Sequence, residues 1–266
     1  TFGDPSVAVV LGQSSQRYEA RQLGGSAYDM VDIIEDKANL NFTTGLASDG
    51  RRDSYGGMQD PNSLASYFGR VSYNFAERYM FQFTVRRDGS SRFGPNNKWG
   101  TFPSVSAGWN IANEPFMANG PEWLNNAKVR FSWGKNGNDN IGNFLYTANV
   151  ALGNNYVLGT GDSQKIVNGS KPSGTPNPDI KWEESEQTNV GIDLGFFANA
   201  LTLSVDYYKK STNGMLKEMA VPSYLGESKP WGNVGSMENS GVEFELGYKL
   251  RKGDFHFGVR ANMSYL

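Results

Sequence analysis

Cysteine is missing from this chain of 266 residues, and histidine occurs once. Without cysteine the chain forms no disulfide bond and no thiolate metal site, and it has no cysteine nucleophile. No segment approaches the roughly 18 consecutive apolar residues that a membrane-spanning helix requires. The 25 basic and 27 acidic residues give a formal net charge of -2, which provides no basic surface for nucleic acid. These absences exclude several functional classes, so the positive evidence must come from the order of apolar and polar residues.

Apolar and polar residues alternate in many segments along the chain. The segments LTLSVDY at 201–207 and FHFGVRANMSY at 255–265 are two examples. A period of two is typical of a β-strand with one apolar face. Strands of soluble proteins usually have 3 to about 10 residues, whereas a strand that spans a membrane needs ~9–11. The number and length of these segments predict an all-β fold, an antiparallel transmembrane β-barrel.

About nine strands are predicted. They cover residues 7–21, 64–75, 79–86, 104–111, 127–133, 190–196, 201–209, 242–250 and 255–266. The alternation stops between 134 and 181, where Gly, Asn, Ser and Pro are frequent. This composition predicts a long loop, with a hairpin at 143–152 inside it. One helical turn is predicted within 113–126.

Short and long connections alternate between these strands. The tight turns AER, ANA and RKGD, at 76–78, 198–200 and 251–254, fall on one side of the sheet. The long segments fall on the other side, at about 22–62, 88–100, 134–181 and 212–235. Because short turns are periplasmic and long loops extracellular in outer-membrane barrels, the long segments are expected to face out of the cell.

The two faces of the strands differ in polarity. The apolar face is expected to contact lipid, with aromatic girdles near the strand ends formed by Tyr79, Trp109, Trp133, Phe196, Tyr248 and Phe255. The opposite face is expected to line a wet interior, since charges of both signs would be costly in a dry core. Its charged residues are Arg70, Arg86, Lys128, Arg130, Asp193, Asp206, Glu243, Glu245, Lys249 and Arg260. A soluble β-sandwich with one solvated face is the alternative.

Four motifs add a resemblance to these patterns. They are RRDGSSRFGPNNKWGTFPSVSAGW at 86–109, PNPDIKWEESEQTNVGIDLGFF at 176–197, DYYKKSTNGML at 206–216 and NVGSMENSGVEFEL at 233–246. Together they closely resemble the barrel domain of SusC/RagA-type TonB-dependent transporters of Bacteroidota. The resemblance covers about residues 63–266, and the first 62 residues fit it more loosely.

The resemblance implies a barrel of about 22 strands, closed by an N-terminal plug, in the bacterial outer membrane. It also implies import of oligosaccharides or, in some members, peptides. The implied partners are a SusD-like surface lipoprotein, the inner-membrane energy coupler TonB and the lipid and lipopolysaccharide bilayer.

Residues 1–266 are expected to be part of one barrel domain. The chain shows no plug domain, no signal peptide with a basic and then an apolar region, and no strand after Leu266, where the family continues through several more. About nine strands cannot close a barrel of the family's size, and an open edge in lipid would leave backbone groups unsatisfied. We therefore expect the chain to be a segment of a longer polypeptide.

The sequence predicts no catalytic residue, no metal site and no cofactor. The only histidine, His256, has an inward position on a regular strand, and a lumen-lining role is the simpler interpretation. In the motif RDGSSRFG we expect a turn in which Asp88 bonds the backbone and Gly89 has a positive φ.

Substrate contact is the one site class that the sequence supports. An apolar platform with a few oriented polar groups is the usual form of such sites. The outer loops supply the candidate residues Tyr146, Asn154, Asn155, Tyr156, Tyr224 and Trp231. The alternative is that these aromatic residues pack the loops onto one another or onto the lid protein.

Three functions remain open at this point. An active importer without enzymatic activity is favoured by the motifs. A passive porin-like channel would share the strand pattern. A soluble, secreted carbohydrate-binding or adhesive β-domain would remain monodisperse without detergent, which a lipid-facing apolar belt does not permit.

Overall fold

The computed structural model describes residues 5–30, 40, 43–172, 174–222, 224 and 229–266. Within these ranges nine long strands form one sheet of neighbouring antiparallel strands, in the order β1-β2-β3-β4-β5-β10-β11-β14-β15. Their bounds are β1 (Pro5–Ala27), β2 (Arg52–Phe75), β3 (Tyr79–Ser90), β4 (Trp99–Asn110), β5 (Leu124–Asn138), β10 (Glu183–Phe196), β11 (Leu201–Asn213), β14 (Ser236–Lys252) and β15 (Phe255–Tyr265). The predicted antiparallel fold of about nine strands is confirmed, and in the described residues the sheet is open, with β1 and β15 as its edges.

In the part of the long loops that the structure describes, six short strands form three small two-stranded sheets. Their bounds are β6 (Val150–Leu152), β7 (Tyr156–Leu158), β8 (Lys165–Val167), β9 (Ser170–Pro172), β12 (Leu216–Glu218) and β13 (Trp231–Asn233). Strand β6 pairs with β9, β7 with β8 and β12 with β13. The hairpin expected at 143–152 is therefore wrong, because β6 pairs with residues about 20 positions further along the chain.

The described ranges also contain four three-residue 3-10 turns, Ala47–Asp49, Ile111–Asn113, Pro115–Met117 and Gly161–Ser163. The turn at Pro115–Met117 agrees with the helical turn predicted within 113–126, and a proline at its start is compatible with a missing N–H there. No helix of the described residues has the length and the hydrophobicity to cross a membrane.

The predicted loop over 22–62 is wrong at both ends. Strand β1 continues to Ala27 and β2 already begins at Arg52, while residues 31–39 and 41–42 of this segment lie outside the described residues. Both strands are polar and exposed in these parts, so backbone pairing holds them without the apolar alternation on which the prediction rested. Parts of the predicted 212–235 loop, residues 223 and 225–228, also lie outside the described residues.

The chain divides into two compact units. Residues 16–63 form one unit, which contains the ends of β1 and β2 that lie beyond the apolar alternation. In this unit Arg51 pairs with Asp29 at 2.5 Å, and the Arg52 guanidinium donates to Thr43 Oγ1 at 2.9 Å. Residues 1–15 and 64–266 form the other unit, which contains the rest of the sheet and the remaining loops.

One face of the larger unit's sheet is apolar and uncovered. Phe81, Phe83, Phe131 and Leu246 on this face are between 40% and 48% exposed, although their side chains are large and apolar. A soluble sandwich would cover such a face with a second sheet. Within the described ranges no second layer of strands covers it, so this face is the lipid-facing surface of a barrel wall.

The rim at the short turns carries part of the predicted aromatic girdle. Tyr79 and Trp109 are directly opposed on β3 and β4, and the Trp109 indole N–H donates to Glu114 Oε1 at 2.8 Å. Hydrogen bonds from Tyr79 and from Trp109 to the Glu114 carboxylate hold the pKa of Glu114 below its usual value. Arg78, 3.4 Å from the same carboxylate, lies over the ring of Phe75. This cluster fixes the edge of the wall at the short turns.

Candidate functional site

The polar face of the sheet holds an ion-pair network across three strands. Arg130 on β5 is opposite Gly191 on β10, which is opposite Asp206 on β11. The Arg130 guanidinium pairs with Asp193 at 2.6 Å and reaches Asp206 at 2.9 Å. A Cβ at Gly191 would lie 2.2 Å from Asp206 Oδ1. Glycine at this position therefore leaves the space through which one arginine joins three strands.

In this network one guanidinium faces two carboxylates, so the positive and negative charges balance only in part. Ser204 donates to Asp193 Oδ1 at 2.6 Å, so this carboxylate accepts from both a guanidinium and a hydroxyl. Arg86 forms a second pair, with both Asp88 oxygens at 2.8 Å from its Nε. A third pair joins Arg260 to Glu245 at 3.1 Å. Charges of both signs therefore share the inward face, as the sequence predicts for Arg86, Arg130, Asp193, Asp206, Glu245 and Arg260.

A cleft of about 700 Å³ opens on this face, in the half nearer the long loops. Its lining is dominated by uncharged hydrogen-bonding groups, Gln82, Thr84, Ser104, Ser106, Ser132, Asn136, Gln187 and Asn189. Gln187 donates to Asn189 at 3.0 Å, and Asn189 donates to Ser132 at 3.2 Å, which forms a chain of amide and hydroxyl groups. The charged lining residues are Arg86, Asp88, Lys135 and Asp139, two of each sign, and Arg86 pairs with Asp88. This cleft offers hydrogen bonds without a net charge.

The long loops close over this end of the sheet through one apolar cluster. Its buried members are Phe93, Phe102, Ile141, Ile180 and Trp182. The Trp182 ring lies 5.1 Å from the ring of Phe93 and 5.4 Å from that of Phe102. Phe102 fits only because its neighbour on β5 is a glycine, since a Cβ at Gly137 would lie 2.0 Å from the ring. We name these five residues the outer-loop core.

Polar contacts at the outer-loop core join three different loops. Ser90 donates to Asp139 at 2.7 Å and thereby links the end of β3 to the loop after β5. The Trp182 indole N–H donates to the Lys98 carbonyl at 3.1 Å. Asn233 donates to the carbonyls of Lys181, at 2.8 Å, and Gly214, at 2.9 Å. All four motifs of the sequence therefore meet at the long-loop end of the wall.

The expected turn at RDGSSRFG is wrong in its details. Asp88, Gly89 and Ser90 belong to β3, and Gly89 is not among the residues with positive φ in the described chain. Asp88 accepts from the side chain of Arg86 instead of from the backbone. Gly89 is needed for a different reason, since a Cβ there would lie 2.9 Å from the Trp99 ring on the adjacent strand.

The structure separates the six candidate substrate residues into two groups. Tyr146 and Trp231 pack against the outer-loop core, which agrees with the packing alternative for these two. Tyr156 is 56% and Tyr224 85% exposed, so their rings are accessible. Asn154 and Asn155 lie beside Tyr156 in the loop between β6 and β7, and the Asn154 side-chain amide nitrogen is buried without a hydrogen-bond partner.

Sequence reasoning missed the outer-loop core and the role of Gly191. A signal for the core was present, because Phe93, Ile180 and Trp182 are isolated apolar residues within polar loop segments. No comparable signal marks Gly191, since its importance depends on a register between three strands.

Comparison with known proteins agrees with the resemblance read from the motifs. The profile of the family described as TonB dependent receptor-like, beta-barrel matches residues 5–266. The TonB-dependent receptor P39 of Formosa agariphila is 38% identical over 271 residues, which cover 100% of this chain and 24% of that protein. The TonB-dependent receptor SusC of Bacteroides thetaiotaomicron is 36% identical over 208 residues, which cover 77% of this chain and 20% of SusC.

A solved structure shows the same likeness. A chain of the RagAB peptide importer in the closed-closed state superimposes with a TM-score of 0.82 at 29% identity, over 99% of this chain and 28% of that one. The chain thus spans about a quarter of the length of the relatives that it matches.

Proposed function

The chain belongs to the TonB-dependent receptor-like β-barrel family, and from this premise we propose that it forms part of the barrel of a SusC-like active importer of nutrients. Proteins of this family are multi-strand barrels of the outer membrane, and the chain is accordingly an outer-membrane protein with several membrane-spanning strands. The soluble, secreted β-domain is therefore a wrong interpretation of the strand pattern.

The observation that carries the proposal is the cleft beneath the outer-loop core, which is rich in uncharged hydrogen-bonding groups and whose charged lining residues cancel in sign. A nutrient that passes along a barrel wall must exchange its hydrogen bonds with water for hydrogen bonds with the wall, without being held by a strong charge. The hydroxyls of Thr84, Ser104 and Ser106 have no side-chain hydrogen-bond partner among the described residues and are available for this exchange.

Oligosaccharides are the substrate class that this lining favours. Their hydroxyls both donate and accept hydrogen bonds, as do the serine, threonine and amide groups of the cleft. Peptides are the second candidate, because the structural neighbour RagAB is a peptide importer and its chain is 29% identical. A peptide backbone also carries donors and acceptors, so the cleft lining is compatible with both.

We propose two protein partners, one at the outer loops and one that supplies energy. A SusD-like surface lipoprotein would contact the outer loops, which the outer-loop core holds together as one surface. Energy would come from TonB through parts of the importer outside this chain. The chain would move its substrate unchanged, with no catalytic residue.

Uptake measurements with and without energy coupling test this function. Cells that express the complete protein, with its neighbouring lipoprotein, are given a labelled oligosaccharide or a labelled peptide of matched size. We expect uptake of one of the two, and its loss when TonB is deleted or the proton gradient is dissipated. Uptake that continues without energy would identify the alternative, a passive porin-like channel, and no uptake of either probe would reject the importer.

A further inference from the structure

On β3, β5 and β11 the side chains on the apolar face form a row that starts near the short turns. In each of these rows the apolar residues are followed by a basic residue at the same distance along the strand. Arg87 stands eight residues after Tyr79 on β3, Lys209 eight residues after Leu201 on β11, and Lys135 eight residues after Ala127 on β5. Eight residues extend about 26 Å along a strand, or roughly 20 Å along the membrane normal at the usual tilt. The apolar band of outer-membrane barrels is of similar height, about 25 Å. These cations therefore mark its extracellular edge.

Two of the three cations are already neutralised by the protein. Lys209 pairs with Glu238 at 2.9 Å. Lys135 lies 3.5 Å from Glu186 and 3.7 Å from Glu184. In the described part of the chain, Arg87 has no carboxylate partner. Its guanidinium lies over the ring of Trp99, 5.5 Å from the centroid.

Two exposed aromatic residues complete a flat patch around Arg87. Trp99 lies across Gly89 and stacks on Tyr67, with the ring centroids 6.0 Å apart and 28° between the planes. Trp99 is 42% and Tyr67 55% exposed on the lipid-facing side. Tryptophan and tyrosine are enriched at membrane interfaces, where an apolar ring and a polar edge are both satisfied.

We propose that Tyr67, Arg87 and Trp99 bind the phosphate group of an outer-leaflet glycolipid. The guanidinium presents two parallel N–H donors that match two phosphate oxygens, and stacking on Trp99 holds the plane of the guanidinium in place. The aromatic faces contact the apolar part of the same lipid just below the phosphate. No nearby carboxylate competes for the cation, in contrast to Lys135 and Lys209. The site lies on the outer surface and is independent of what the barrel transports.

Lipid retention by the complete barrel protein tests the site. The protein is incubated with vesicles of phosphatidylcholine that contain either bis-phosphorylated lipid A or dephosphorylated lipid A, extracted in mild detergent, and weighed intact by native mass spectrometry. We expect the wild type to retain the phosphorylated lipid about tenfold better than the dephosphorylated one, and R87Q to lose this preference. The matched control, K209Q, should behave as the wild type because Lys209 is already paired with Glu238.

Further outcomes decide against the assignment. Equal retention of phosphorylated lipid A by R87Q and wild type would overturn it, as would equal retention of both lipids by the wild type. Complete displacement of lipid A by inorganic phosphate would identify a site for the free anion instead of the lipid. If R87Q does not fold, as judged by its heat-dependent migration in gels, Arg87→Lys replaces it. That variant keeps the charge but loses the two parallel donors, so we expect an intermediate retention.

Discussion

Glycine at position 191 has a structural role that follows from one distance. A Cβ would lie 2.2 Å from Asp206 Oδ1 and 2.9 Å from the Arg130 guanidinium, so any side chain must displace the ion-pair network. The Arg130 side chain is 38% exposed, so the Coulomb energy of the network is partly screened by water. Because the overlapping atoms lie at the ends of flexible side chains, they can move away from a methyl group, and the cost is the weakening of the bonds between Arg130 and the two carboxylates.

We therefore expect Gly191→Ala to destabilise the barrel by about 1 kcal/mol, the usual net contribution of the hydrogen bonds that it disturbs. The temperature at which the complete protein loses its compact migration in gels measures this effect. Gly258→Ala on β15 is the matched control, because a Cβ there meets its nearest atom at an ordinary 3.8 Å. Equal midpoints for both variants would show that the strands adjust without cost.

Phe102 is the residue on which the outer-loop core depends most. Its ring is 6% exposed, contacts Trp182 and occupies the space over Gly137. Replacing a buried phenylalanine by alanine usually costs about 3–5 kcal/mol, because it removes apolar contacts and leaves a cavity. We expect Phe102→Ala to loosen the loops after β3 and β5, seen as faster proteolysis between residues 139 and 182 of the complete protein.

Trp182→Phe provides a graded comparison for this prediction. It keeps most of the ring but removes the hydrogen bond to the Lys98 carbonyl, which is worth about 1 kcal/mol. Proteolysis should therefore increase less than in Phe102→Ala. Unchanged loop cleavage in both variants would mean that the polar contacts alone hold the loops.

At the scale of elements, the loop strands β6 to β9 form a separate appendage. Val150 pairs with Pro172, so the two ends of the segment 150–172 are adjacent, and its apolar residues Leu152 and Ile166 are 86% and 73% exposed. None of its residues belongs to the outer-loop core. We expect that replacing 150–172 by a short Gly-Ser link changes the stability of the complete protein by less than about 0.5 kcal/mol.

The same deletion separates the two groups of candidate substrate residues. It removes Asn154, Asn155 and Tyr156 and retains Trp231, so a folded variant with weaker substrate binding would support these three residues as contacts. Binding at wild-type affinity would discard those three residues as contacts. Two single substitutions provide a further comparison. Tyr156→Ala should lower only the affinity for substrate, whereas Trp231→Ala should also lower the stability of the protein, because Trp231 packs on the outer-loop core.

The strands were predictable where one face meets lipid and the other meets water. Strands β3, β11 and β15 begin within a residue of their predicted starts, because apolar and polar residues alternate there. The extensions of β1 and β2 were not predictable, since both faces of these segments are polar and only backbone pairing defines them. The outer-loop core was missed for a similar reason, as its residues come from β4 and from two long loops, and no local period connects them.

At the scale of the whole molecule, the open sheet leads to a prediction about the chain by itself. In the described residues β1 and β15 are edge strands, and β15 carries apolar residues such as Phe257 and Val259, which are 50% and 55% exposed. An edge strand in a bilayer leaves its N–H and C=O groups without partners, at several kcal/mol for each group. Further strands, from a longer polypeptide or from other copies, would satisfy them.

We expect the 266-residue chain alone to refold poorly into lipid vesicles. Its product should lack the compact, heat-dependent migration of a closed barrel and should bind to further copies through β1 and β15. Replacing a polar residue of β15 whose N–H points away from β14 by proline would reduce that association, because proline removes a donor from the exposed edge. A compact, protease-resistant species of 29.3 kDa in vesicles would contradict this expectation and would show that nine strands suffice to satisfy their own edges.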